Sequence, residues 1–239
     1  DHLSQGWRYT ARSTEQSDFN VSVSKYILRE DRSYTSSEVG HTLSYDRLDN
    51  VVAPTAGYFL RMNNDVAGLG GDTQYLRNRL SAAKYFPLAD EWVLSVRGAG
   101  GYIMGYGDKD VRIADRFMVG GDDLRGFRTV GISPRDKATG DALGGEWMYT
   151  STVEATFPIG ILPPEFGIKG KIFTDLGSTG KLNPTGSDVN DTGALRVSAG
   201  TGVTWASPFG VVGLDFGIPL LKEGFDKTEL MRVSFGSKF

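Results

Sequence analysis

Hydrophobic side chains in this chain recur at every second position, in segment after segment. The clearest run spans Leu195 to Trp205. Leu195, Val197, Ala199, Val203 and Trp205 fall on one face with Thr201, and Arg196, Ser198, Gly200, Gly202 and Thr204 fall on the other. Successive strand side chains point to opposite faces, so such a run is a strand with one apolar and one polar side. Val212, Leu214, Phe216 and Ile218 repeat the pattern, and so do Met231, Val233, Phe235 and Phe239 with Gly236 on the polar side. Upstream, Phe19, Val21, Val23 and Ile27 oppose Asn20, Ser22 and Ser24. No window sustains an apolar stripe at helical spacing. The chain is all-β.

The alternation places strands over 4–13, 18–30, 36–48, 56–66, 74–87, 91–104, 145–158, 167–177, 193–206, 210–219 and 228–239. Connections near 14–17, 49–55, 88–90, 159–166 and 207–209 are short. Those near 31–35, 67–73, 105–144, 178–192 and 220–227 are longer or more polar. Short turns at one end and long loops at the other are the pattern of an antiparallel up-and-down transmembrane β-barrel. Strands of about ten residues fit a tilted crossing of the bilayer. Eleven antiparallel strands cannot close on themselves, because the first and last would run parallel.

A soluble barrel with an apolar interior would show the same alternation. Two features favour the membrane. The polar faces carry Arg77, Arg79, Arg97, Glu154, Lys169, Lys171, Asp175, Arg196 and Asp215, as a water-filled lumen would. Trp92, Tyr102, Trp147, Phe157, Trp205 and Phe239 sit near strand ends, where a membrane interface holds aromatics. No run approaches the ~18 apolar residues of a membrane helix. The 26 basic and 29 acidic residues leave a net charge of -3, without the basic excess of a nucleic-acid binder. There is no cysteine, and the histidines are His2 and His41 alone, which removes most metal and nucleophile chemistry. The chain carries no GxSxG, HExxH or phosphate-loop motif, and the Asp108–Asp110 and Asp122–Asp123 acids do not match a calcium loop. An enzyme, a metal site and a cofactor are not expected.

Particular motifs add a family. The run Arg116-Phe117-Met118-Val119-Gly120-Gly121-Asp122-Asp123-Leu124-Arg125-Gly126-Phe127 resembles the sixth extracellular loop of the BamA family of outer-membrane protein assembly factors. Phe173-Thr174-Asp175-Leu176-Gly177 matches that family's F-x-D-x-G strand motif. Trp205 followed by Ser207-Pro208-Phe209-Gly210 resembles its W-x-S-P-x-G turn, and the alternating end in Phe239 resembles the C-terminal signal of outer-membrane barrels. The four motifs stand in the family's order, and the resemblance covers essentially the whole chain. It implies that residues 1–239 are the last eleven strands of a sixteen-stranded barrel, without the first five strands and the POTRA domains. TamA-like and two-partner secretion transporters share the loop motif and the barrel, and a porin-like channel is a weaker alternative.

A connection as long as 105–144 is uncommon unless functional or disordered. Glu154 lies on the polar face of its strand, and Asp175 shares a face with Lys169 and Lys171. An arginine carried inward on the loop could be held by these carboxylates in a charge-assisted arrangement. The resemblance assigns that role to Arg125, within Leu124, Arg125, Gly126 and Phe127. It also implies that the last strand, with Met231, Val233, Phe235, Gly236 and Phe239, borders a weakly paired seam able to open into the lipid bilayer. A strand glycine such as Gly236 weakens pairing and permits a bend. The implied location is the bacterial outer membrane. The implied partners are unfolded outer-membrane β-barrel proteins as substrates, accessory outer-membrane lipoproteins and periplasmic chaperones.

Overall fold

The computed structural model describes residues 2–15, 23–30, 33–160, 163, 166–181, 183, 186–207 and 210–236. Ten strands form one sheet of antiparallel neighbours. They are β1 (Leu3–Glu15), β2 (Ser33–Asp46), β3 (Gly57–Gly71), β4 (Tyr75–Ala89), β5 (Trp92–Gly105), β7 (Trp147–Pro158), β8 (Ile168–Gly180), β10 (Arg196–Ser207), β11 (Gly210–Leu221) and β12 (Met231–Phe235). Two short strands, β6 (Arg135–Asp136) and β9 (Val189–Asn190), pair with each other and join the 105–144 loop to the connection after β8. Each sheet strand pairs with its neighbours in sequence, as an up-and-down barrel requires, and β1 and β12 are the two edges.

One expected strand is replaced. Lys25–Leu28 is a single helical turn, α1, where the alternation of 18–30 predicts a strand. Phe19 and Val21 lie outside the described residues. Ser24 caps the turn by accepting the Tyr26 amide at 3.2 Å. Its own hydroxyl donates to Asp136 at 2.6 Å and its amide to Asp141 at 2.7 Å. These bonds to the long loop hold the segment outside the sheet. The sheet therefore has ten strands among the described residues, not eleven. Of the turn expected at 14–17, Thr14 and Glu15 belong to β1 and pair with Tyr34 and Ser33 of β2, and 16–17 lie outside the described residues.

The sheet is apolar outside and polar inside. Leu80, Ile172, Ile218, Leu220 and Val233 are exposed on the outer face. Glu38, Asp65, Glu154, Lys171, Asp175, Arg196 and Asp215 are buried on the inner one. A water-soluble barrel would invert this, because apolar surface belongs away from solvent. Aromatics mark both rims: Trp92 stacks on Phe157 at one end (5.1 Å), and Trp147 on Tyr149 at the other (6.1 Å). No helix among the described residues is long and apolar enough to cross a membrane.

The interior is filled by the chain itself. Val111, Phe117, Val119, Leu124, Phe127 and Ile132 of the long loop pack against Ala67, Tyr75, Ile103 and Met148 on the inner faces of β3, β4, β5 and β7. Leu124 and Phe127 are completely buried. The loop thus has its own hydrophobic reason to enter the lumen, independent of any ion pair.

Candidate functional site

Asp175 projects inward from β8, Glu154 from β7 and Asp215 from β11. Between them the loop delivers Arg125. Its Nε and Nη2 donate to the two oxygens of Asp175 at 2.8 Å each, and its amide donates to Oδ2 at 3.0 Å. Nη1 donates to Glu154 Oε2 at 2.5 Å and lies 3.7 Å from Asp215. The guanidinium plane rests on Phe173, 3.4 Å from its ring centroid. Asp175 is further fixed by the Thr152 hydroxyl at 2.9 Å.

Lys171 reaches Asp215 at 2.7 Å, and Arg97 reaches Glu154 at 3.4 Å. Three cations thus face three carboxylates, and the cluster is formally neutral. Such a buried group is held by geometry rather than by net attraction. Desolvation offsets much of the Coulomb gain, so every donor must find an acceptor.

The backbone makes room for the approach. Gly126 has a φ of +90°, which side chains rarely adopt. A side chain at Gly217 of β11 would begin 2.7 Å from the Gly126 nitrogen and 3.0 Å from the Arg125 carbonyl carbon. The loop therefore lies directly on the glycine wall of β11.

The last strand has a different character. Among the described residues β12 pairs with β11 over five positions, Met231–Phe235 against Phe216–Val212, and the Gly217–Leu230 and Gly236–Val211 main-chain bonds carry the register one step further at each end. β10 and β11 pair from Val197 to Ser207. Gly236, directly after β12, has a φ of +92° and donates its amide to the Val211 carbonyl at 2.8 Å. Met231, Val233 and Phe235 are exposed on the outer face, and Phe239 lies outside the described residues. Among the described residues no group of His, Asp and Glu gathers in a metal-binding arrangement.

The Omp85 superfamily domain matches residues 1–239. The chain belongs to the Omp85 superfamily. It is 37% identical over 204 residues to the outer membrane protein assembly factor BamA of Neorickettsia risticii, an alignment that covers 85% of this chain and 27% of that protein. It is 31% identical to the protein of the same name from Nitratidesulfovibrio vulgaris, over 95% of this chain and 28% of that one. It is 32% identical over 154 residues to the sorting and assembly machinery component 50 homolog of Xenopus tropicalis, covering 63% of this chain and 32% of that protein. The chain thus spans little more than a quarter of its BamA relatives' length. The crystal structure of BamA from Haemophilus ducreyi lacking POTRA domains 1–3 superposes with a TM-score of 0.81 at 22% identity, over 98% of this chain and 51% of that one. That likeness establishes the barrel fold.

Set in this Omp85 barrel, the expected residues come together as anticipated in one respect and exceed it in another. Arg125, Glu154 and Asp175 meet, and Phe173 and Gly177 line the same inner face of β8. Lys171 and Asp215 join the cluster, although in sequence they read only as lumen charges. A second network on the opposite wall also escaped the sequence. Arg8 and Arg77 share Glu38 and Asp65 at 2.9–3.2 Å, and Arg12 reaches loop residue Asp115 at 3.4 Å. Apolar residues on otherwise polar faces, such as Ile103 and Met148, were the available signal that the loop packs there.

Proposed function

We propose that this chain is part of a machine that assembles and inserts β-barrel proteins into the bacterial outer membrane, through a seam bordered by β12. The single observation that carries the reading is the contrast at the last strand. Its ladder spans five residues among those described, with one further main-chain bond at each end, beside a neighbouring pair in register over ten residues from Ser198 to Ser207. The family supports it, since BamA relatives carry assembly in their names.

The mechanism is physical and uses neither nucleotide nor cofactor. An unfolded barrel protein carries backbone groups that cannot enter hydrocarbon unpaired. A strand edge exposed at membrane depth offers those groups partners, so the client adds strands by β-augmentation. A short outer face at β12 also mismatches the bilayer and thins it locally, lowering the barrier to insertion. The anchored loop meanwhile fills the lumen and braces β7, β8 and β11 from the inside. The substrates are unfolded outer-membrane barrels. Accessory outer-membrane lipoproteins and periplasmic chaperones dock on parts of the protein beyond this chain.

The test is reconstitution of the full-length protein into lipid vesicles. Folding of a urea-denatured outer-membrane barrel should be faster than in protein-free vesicles. Passage of a soluble substrate into the vesicles, with no acceleration of barrel folding, would instead support a secretion transporter.

A further inference from the structure

A second arginine is buried in the lumen, with its polarity reversed. Arg196 opens β10 and is 1% exposed, and it forks onto Asp226 in the β11–β12 connection. Nε lies 3.1 Å from Oδ2 and Nη2 lies 3.1 Å from Oδ1. The Asp226 side chain is fully buried. Its Oδ2 also accepts the Glu223 amide at 2.8 Å, and the remaining arginine nitrogen donates to the Ala194 carbonyl at 2.7 Å. Here the wall supplies the cation and the loop the acid.

The same connection is stitched to the long loop by main chain. Arg128 donates to the Lys227 carbonyl at 2.9 Å, Lys227 to that of Gly131 at 2.9 Å, and Glu229 to that of Gly126 at 3.1 Å. Immediately afterwards the Gly217 amide donates to the Leu230 carbonyl at 2.9 Å, and β12 begins.

The need for such an anchor follows from the strand pattern. A slip of one residue would turn Arg232 and Ser234 outward, and the apolar face forbids it. A slip of two keeps Met231, Val233 and Phe235 outward and costs the pattern nothing. So short a ladder, five paired positions with one main-chain bond beyond each end, does not specify the register by itself.

We propose that Arg196 and Asp226 position the last strand. By fixing the 222–230 connection inside the lumen, they set the residue at which β12 joins β11. In the register observed, Leu214 faces Val233; a two-residue slip would bring Met231 or Phe235 opposite it. The functional importance of that register rests on the proposed role of the seam.

The experiment uses disulfide formation in the full-length, folded protein, scoring heat-modifiable molecules only. Leu214→Cys is paired in turn with Val233→Cys, Met231→Cys and Phe235→Cys. Without further change the Val233 pair should dominate. Asp226→Ala should lower the ratio of native to slipped cross-links by about ten-fold, since it leaves a buried cation unpaired. The swap of Arg196→Asp with Asp226→Arg should restore the ratio. An unchanged ratio in Asp226→Ala, or a uniform fall in all three cross-links, would overturn the proposal. Client insertion is measured on the same variants. A shifted register with undiminished insertion would uphold the positioning role and overturn the seam as the insertion route.

Discussion

Arg125 and Asp175, fifty residues apart in sequence, are joined by three hydrogen bonds: Nε and Nη2 at 2.8 Å and the main-chain amide at 3.0 Å. The amide bond means that Asp175 recognises the backbone of the loop as well as its charge. Arg125→Ala strands Asp175 and Glu154 in the lumen and should cost about 3–5 kcal/mol of loop anchoring. Arg125→Lys keeps the charge but loses the fork and the Phe173 stack, at a cost of about 1.5–3 kcal/mol. Barrel melting followed by heat modifiability should rank wild type above Lys and Lys above Ala. A lysine variant as stable as wild type would show that charge alone suffices.

Three consecutive residues of β4 report the two faces. Arg79 and Ser81 face the lumen, and Leu80 is 55% exposed on the outer side. In this cysteine-free chain, Arg79→Cys and Ser81→Cys should react with a water-soluble maleimide in vesicles, and Leu80→Cys should resist it. The reverse pattern would describe a soluble barrel.

Gly217 leaves no space for a side chain beneath the loop. Gly217→Ala should push Gly126 and Arg125 off the wall, an overpacking cost of about 1–3 kcal/mol. The barrel should still fold, while the 105–144 segment becomes more sensitive to protease. Unchanged sensitivity would mean that the loop yields without leaving its seat.

Asp115 tests pH dependence. Burial holds its carboxyl above the ordinary range, against the opposing pull of Arg12. A raised folded value favours the protonated form, so this carboxyl's contribution to stability is present at low pH and lost as pH rises through that value. Asp115→Asn should therefore leave loop protection equal or better at neutral pH, with the difference vanishing on acidification. Protection lost at neutral pH would show that the Arg12 pair outweighs burial.

The sheet was legible because a membrane barrel writes its two faces into alternate residues. Arg196, Ser198 and Asp215 all read correctly as inward. The segment 18–30 misled because Val23 and Ile27 fit a strand, and nothing local revealed that Ser24 would be held by Asp136 and Asp141, more than a hundred residues away. Arg125, Glu154 and Asp175 were found through motif and face together. Lys171 and Asp215 were visible as lumen charges, but their pairing depends on β8 and β11 approaching across the glycines of β10. The Arg196–Asp226 pair was hidden for the same reason: face is a local property, partner choice a property of register and curvature.

The seam decides the account. In the full-length protein, a disulfide would join β12 to the strand facing it across the seam, and insertion of a client barrel into vesicles would be followed. A matched disulfide between Val203→Cys and Leu214→Cys, which face each other in β10 and β11, serves as control. The account predicts that the seam lock stops insertion, that reduction restores it, and that the control lock is harmless. Full insertion with the seam locked would contradict it.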